Sequence, residues 1–343
     1  MEEKTCLAGM TLAQLKDVAA EVGMPGYSAR QMAEWLYVRK VDSIDRMSNI
    51  SLKFRAALQE KYSVGLAEPL THVESADGTR KYLFPVSEGR SVEAVFIPDG
   101  DRATLCISSQ VGCKMGCVFC MTGRQKFAYS LTAGEILNQI LSLPERDRLT
   151  NIVFMGMGEP LDNLHNVLQV VEVLTSSWGF GWSPHRITIS TVGLRRELKQ
   201  LVEGCECHIA VSLHAPTPEQ RVQLVPAEKA FPMTEMLEVL RRYDFSHQRR
   251  LSFEYTVFHG VNDGVANARQ LVKTLEGLSC RVNLIRFHAI PDSTLSPASE
   301  ADMTEFRDWL TSHGVFATIR ASRGEDVWAA CGMLNTSNKT VNN

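Results

Sequence analysis

The chain has 343 residues, 44% hydrophobic and 22% charged, with a formal net charge of -3. That is the balance of a globular protein with a real core, long enough for one large α/β domain and an accessory piece. No run of eighteen or more apolar residues occurs, which excludes a membrane-spanning helix, and the acidic balance gives no global sign of nucleic-acid binding, so any RNA partner has to be found in local patches.

The start, MEEKTCLAGMTLAQLKD, carries acids where a secretory signal carries basic residues, so a cytoplasmic protein is expected. Residues 1–65 read as a small helical domain. Thr11 with Gln14 and Ser28 with Gln31 both fit the capping box. Leu12, Leu15, Val18, Ala19 and Val22 fall on one helical face, as do Met32, Trp35 and Leu36, with Gly23-Met24-Pro25-Gly26-Tyr27 as the turn between. Residues 66–98 change to alternating runs, RKYLFPV and SVEAVFIP, punctuated by Asp77-Gly78 and Glu88-Gly89, which predicts a short β extension.

Over 99–335, strand-like runs alternate with helical stretches: NIVFMGMGEP, HRITISTVG, CHIAVSLHA, LSFEYTVFHG and CRVNLIRFHAIP. Such alternation predicts βαβ units on a parallel sheet. With a strand before the cysteine cluster that begins at Cys113 the count is about six, a partial barrel rather than a closed eight-stranded one. Residues 336–343 form a polar tail expected to be flexible.

The nine cysteines are clustered, which in a reducing compartment suggests metal or thiol chemistry. Cys113-Lys-Met-Gly-Cys117-Val-Phe-Cys120 is the sharpest feature. Three thiolates from one loop can ligate three corners of a 4Fe-4S cluster and leave the fourth iron open, whereas an electron-transfer cluster has four cysteines. The competing reading is a structural zinc site completed by Cys106 or by Cys205 and Cys207. Cys205, Cys207 and Cys280 sit at the edges of strand-like runs and read as buried thiols.

CxxxCxxC with Phe119 before the last cysteine resembles the radical S-adenosylmethionine superfamily. The wider strings CISSQVGCKMGCVFCMTG, MGMGEPLDN, STVG, VSLHAP, RVQLVP, VNDG and GEDVWAACGML resemble the RlmN family over nearly the whole chain. The resemblance implies a partial βα barrel of radical S-adenosylmethionine type holding one 4Fe-4S cluster on Cys113, Cys117 and Cys120. It implies methylation of carbon 2 of an adenosine in 23S ribosomal RNA and in transfer RNA, using two S-adenosylmethionine molecules per turnover. Cys331 then matches the cysteine that is methylated, bears the radical and joins covalently to the RNA. Cys106 matches the resolving thiol that forms a transient disulfide with Cys331, and Glu93 the proton acceptor. Read from the residues alone, Cys331 is a structural thiol and Glu93 a solvent-facing strand residue.

Ligands of parallel α/β folds bind at the carboxyl ends of strands. Gly158, Glu159, Ser190, Ser212, Leu213 and His214 lie near such ends and match the family's S-adenosylmethionine contacts, as does His288, where many members have asparagine. Arg39-Lys40, Lys114, Arg124-Gln-Lys126, Arg195-Arg196 and Arg249-Arg250 are candidate phosphate contacts, although short charge runs are usually solvated faces. A monomer fed by an electron donor such as flavodoxin or ferredoxin, and the helical domain as the RNA-gripping accessory, complete what the resemblance implies. The rivals are a Cfr-type enzyme acting at carbon 8, whose members tend to have alanine where Pro160 stands, and a non-catalytic RNA-binding metal protein.

Overall fold

The structure, a computed structural model, describes residues 4–245 and 251–335; the predicted tail and Arg249-Arg250 lie outside them. Helix α1 (Leu12–Glu21) begins at the expected reciprocal cap: Thr11 Oγ1 accepts the Gln14 amide at 3.3 Å and Gln14 Oε1 accepts the Thr11 amide at 2.8 Å. Leu15, Val18 and Ala19 are its buried face. The second cap does not form. Helix α2 (Ser28–Ala33) starts after Tyr27, so Ser28 is already inside the helix and buried, and no side chain caps it. After a wide helical turn over Glu34–Val38 and helix α3 (Leu52–Lys61), Tyr62–Ser63 pairs in parallel with Thr5–Cys6, which closes this helical unit on itself. Gly9, at φ 97°, meets the next body so closely that an added Cβ would lie 2.4 Å from the Gly134 nitrogen.

The rest is built on ten strands that pair in chain order: β1 (Thr71–Glu74), β2 (Arg80–Val86), β3 (Arg90–Asp99), β4 (Arg102–Cys106), β5 (Asn151–Phe154), β6 (Ile187–Thr191), β7 (His208–Ser212), β8 (Leu251–Val257), β9 (Arg281–Arg286) and β10 (Ala317–Ile319). β1 to β4 are antiparallel and β4 to β10 parallel. The order is linear, so the curl stays open. The predicted extension is therefore continuous with the main sheet, held by pairs such as Val95 with Cys106. Its turns fall where predicted, with Gly78, Glu88 and Gly89 all at positive φ.

Seven parallel strands stand where about six were expected. β10 has only three residues, two of them half-buried, too short to print a pattern. Helices α4 (Ala133–Leu141), α5 (Leu164–Thr175), α6 (Arg195–Gly204), α7 (Pro218–Leu224), α8 (Met233–Leu240), α9 (Val265–Thr274) and α10 (Glu300–Ser312) fall between or after the parallel strands. β8 is buried along its whole length, as a central parallel strand must be. No helix is long and apolar enough to cross a membrane.

Candidate active site

An open cavity lies at the carboxyl ends of the parallel strands, where Cys113, Cys117, Cys120, Gly158, Glu159, Ser190, Ser212, His214 and Cys331 all reach its wall. The three-cysteine loop follows β4. At its base Gly112, at φ 75°, passes so near the returning chain that a Cβ would meet the Lys126 carbonyl at 2.3 Å. Within it the Cys120 amide donates to the Cys117 carbonyl at 3.1 Å, and the Val118 amide to Leu224 at the end of α7 at 3.0 Å.

Burial pushes all three thiols up, Cys113 to about 12; Cys120 raises Cys113 further, and Cys113 and Cys120 both raise Cys117. Three thiolates in such surroundings need a compensating cation, which a metal group supplies. Among the described residues only His259, Asp263 and Asp302 bring three ligand atoms within 4.8 Å of one another. The cysteine sulfurs are thus spread wider than a single zinc at Zn–S distances of about 2.3 Å would draw them. The candidate fourth ligands also fall away: Cys205, Cys207 and Cys106 are absent from the cavity wall, and Cys207 is a core residue. A three-thiol cradle with an open side fits a multi-iron cluster better than zinc.

Beside the cradle, Gly158 has φ 102°, and a Cβ there would meet Gln110 at 2.5 Å. Glycine is required twice over, by backbone conformation and by space. Glu159 is buried; its carboxylate accepts the Leu161 amide at 3.0 Å and the Val192 amide at 2.9 Å. Burial nevertheless pushes its pKa up to about 7. His214 adopts a left-handed backbone, at φ 59°. Its Nδ1 accepts the Thr256 amide at 3.1 Å and burial pushes its pKa down to about 3, so the ring is neutral with its proton on Nε2. Phe119 of the cysteine loop meets this ring edge-on at 4.8 Å.

Leu213 and His288 do not reach the cavity. The Leu213 side chain enters the core and its backbone is bound at both ends, the amide to Glu254 at 3.0 Å and the carbonyl to Arg221 at 3.1 Å. His288 turns away to Ser322 and to Glu325, whose carboxylate lies 3.1 Å from Nδ1.

Cys331 stands on a C-terminal segment that is tied across the cysteine loop. The Met121 amide donates to the Gly332 carbonyl at 2.8 Å and the Thr122 hydroxyl to the Leu334 carbonyl at 2.7 Å. Cys331 is solvent-accessible on the cavity side, while Cys106 is buried at the end of β4, and both are free thiols. Burial pushes the Cys106 thiol up, and the charge of nearby Cys331 adds to this. Glu93 does not face solvent. β3 is covered on both sides from Val92 to Phe96, so strand alternation misleads there. Its carboxylate lies 3.1 Å from the Lys81 ammonium.

Three residues in or behind the cavity wall escape a sequence reading. Arg221 is fully buried, pairs with Glu228, and donates to the carbonyls of Val192 at 2.7 Å, Ser212 at 2.9 Å and Leu213 at 3.1 Å. It thereby fixes two strand-end loops at once. Glu254 on β8 and Arg320 after β10 line the cavity. A buried acid in the run LSFEYTV was the available signal for Glu254. Of the basic candidates, Arg39 pairs with Glu34, Lys40 with Asp147, Lys114 with Asp162 and Arg195 with Glu235, while Arg124 donates to the Val118 carbonyl.

The comparisons with known proteins agree with this geometry. Residues 107–272 match the family model for the radical SAM superfamily, and residues 5–64 match that for the ribosomal RNA large subunit methyltransferase N-terminal domain. A protein of Bacteroides fragilis named "probable dual-specificity RNA methyltransferase RlmN" is 60% identical over 98% of this chain and 98% of its own length. The chain belongs to the RlmN family. A dual-specificity RNA methyltransferase RlmN of Syntrophotalea carbinolica is 41% identical over 96% of the chain and 89% of its own. The fold of this chain is seen again in a crystal structure of a radical SAM methyltransferase from Sphaerobacter thermophilus, with a TM-score of 0.91 at 39% identity, covering 97% of this chain and 99% of that one. As an RlmN family member the chain is a radical SAM RNA methyltransferase, using S-adenosylmethionine and a 4Fe-4S cluster.

Proposed function

We propose that this enzyme methylates carbon 2 of an adenosine in 23S ribosomal RNA and in transfer RNA, through Cys331. The observation that carries the reading is the placement of Cys331 on the wall of the same cavity as the three-cysteine cradle, with Cys106 close enough to feel its charge. A ring carbon of adenine is too poor a nucleophile for polar methyl transfer; the cluster and S-adenosylmethionine, when bound, supply radical chemistry instead.

Cys113, Cys117 and Cys120 would hold the cluster. Gly158 leaves room for the methionine end of S-adenosylmethionine and Glu159 offers an acceptor for its amino group, with Ser190, Ser212 and neutral His214 along the strand ends. Cys331 accepts a methyl group on sulfur and delivers it as the carbon that bonds to the ring. Joining that carbon to the ring removes a hydrogen atom from the methyl group, which the radical chemistry of the bound cofactor would take, and one electron, which the cluster would take back, while Glu93 takes the proton from the ring carbon. Cys106 then attacks the Cys331 sulfur: the sulfur–sulfur bond forms, the carbon–sulfur bond breaks, and the carbon keeps the electron pair and takes up a proton as the finished methyl group. Two S-adenosylmethionine molecules per turnover would be needed, one for the methyl group that Cys331 takes and one for the radical chemistry of its transfer. Leu213 contributes through its backbone, and His288 could contact the cofactor only after leaving Ser322 and Glu325.

We assign residues 1–65 as the RNA-gripping unit, with the 66–98 extension continuing into the 99–335 core. The enzyme would act as a cytoplasmic monomer reduced by a flavodoxin or ferredoxin. Pro160 after Glu159 favours carbon 2 over carbon 8, since the carbon-8 group tends to have alanine there. Anaerobically reconstituted protein should cleave S-adenosylmethionine and leave 2-methyladenosine in ribosomal or transfer RNA. 8-Methyladenosine would establish the rival, and no modified base would sink the reading.

A further inference from the structure

Glu254 sits on β8 facing the cavity and is 3% exposed. One oxygen, Oε1, accepts from Asn283 Nδ2 at 2.7 Å and Ser252 Oγ at 3.1 Å. The other, Oε2, is buried with no hydrogen-bond donor among the described residues; the nearest charge, Arg320 Nε, stands 3.7 Å away, too far for a hydrogen bond. A buried acceptor left without a donor is costly, so such a group calls for a partner that arrives from outside.

We propose that Glu254 is a binding residue of the cofactor pocket, its unpartnered oxygen accepting the hydroxyl groups of the ribose of S-adenosylmethionine. This rests on reading the cavity as the S-adenosylmethionine site. A carboxylate accepts and does not donate, so its partner must carry donors. In that cofactor the donors are the methionine ammonium, two ribose hydroxyls and the adenine amino group. The ammonium belongs beside Glu159 and the cradle, three strands away. Ser212 is the register partner of Glu254 on the adjacent strand, about 4.8 Å off, and lines the same wall. A hydroxyl and a carboxylate side by side match two adjacent hydroxyls, the same pairing by which an acidic residue holds ribose in dinucleotide-binding folds. Arg320 stands beside the carboxylate at 3.7 Å without occupying its lone pairs.

The test is equilibrium binding of S-adenosylhomocysteine, which cannot react, to the cluster-loaded protein, together with its 2′-deoxy, 3′-deoxy and inosyl forms. At least one deoxy form should bind the wild type roughly tenfold or more weakly than the parent, as expected for a hydrogen bond to a charged group. Glu254→Gln should weaken the parent similarly and leave that deoxy form unchanged. Iron content and melting temperature report whether the variant folds; if it does not, the deoxy comparison on the wild type together with Glu254→Asp decides. Equal binding of all forms to the wild type, or equal weakening of all by Glu254→Gln, overturns the assignment while the pocket reading stands. A wild type that binds no S-adenosylhomocysteine overturns the pocket reading itself. Loss of affinity confined to the inosyl form, and abolished in Glu254→Gln, would place the adenine amino group on Glu254 instead.

Discussion

The backbone amide of Asn335 donates to Oε2 of Glu93 at 2.8 Å. Lys81, which faces the other Glu93 oxygen, also donates to the carbonyl of Trp328 at 3.2 Å. The β2–β3 hairpin therefore grips the C-terminal segment on both sides of Cys331, and the carboxylate proposed to accept a proton is wired to the segment that would carry the methyl group.

That wiring sets a pH dependence. Burial raises the Glu93 pKa, while Lys81 and the Asn335 amide oppose it. A base works only when ionised, so its raised pKa limits turnover on the acid side. Lys81→Met removes the main opposing charge, and the acid limb of the pH–rate profile should move to higher pH. Glu93→Gln should keep the fold and lose roughly 10²- to 10⁴-fold in turnover, the usual contribution of a general base. An unmoved acid limb in Lys81→Met would remove Glu93 from the proton-transfer step.

Glu159 gives a second pH signature, in stability. Its folded pKa of about 7 lies above the ordinary 4.5. The folded chain thus holds a proton that the unfolded chain releases, and stability conferred below the unfolded pKa is lost as pH rises through 7. The size is on the order of 3 kcal/mol across that window. In cofactor-free protein, Glu159→Gln should abolish this part of the slope, read as the wild-type-minus-variant difference in denaturant midpoints at pH 5 and pH 8. Parallel midpoints at the two values would show that Glu159 ionises normally.

Arg221→Met should be among the most damaging substitutions away from the cysteines. It strands the buried Glu228 carboxylate and frees three strand-end carbonyls, and breaking a buried pair costs roughly 3–5 kcal/mol. Denaturation measures the loss directly. Arg221→Met with Glu228→Gln should recover part of it, since the stranded charge is then gone.

How much of this was legible in the sequence depends on how far each feature is local. The Thr11 cap, the two β turns and six parallel strands are written in neighbouring residues and appear as read. Ser28 failed because Pro25-Gly26 let the chain enter α2 one residue earlier than the cap pattern implies. β10 was too short to show a period. The grouping of Cys113, Cys117 and Cys120 on one cavity wall was legible because they lie within eight residues. The link from Cys331 to Cys106 spans the fold and was carried by family resemblance alone. Glu93 was misread as exposed because alternation assumes one wet face, and β3 has none. Glu254 was overlooked because a charged residue in an apolar run signals burial but not what it meets there, and Arg221 because it stands among polar residues, Pro-Glu-Gln-Arg-Val-Gln, that give no sign of burial.

In the proposed reaction Cys331 carries the transferred carbon and Cys106 releases it. Cluster-loaded Cys106→Ala protein, supplied with S-adenosylmethionine, reductant and RNA, should retain RNA covalently, and tandem mass spectrometry should find one adenosine joined through a single carbon to the sulfur of Cys331. RNA that is modified and released normally by this variant, or attached at any residue other than Cys331, would contradict it.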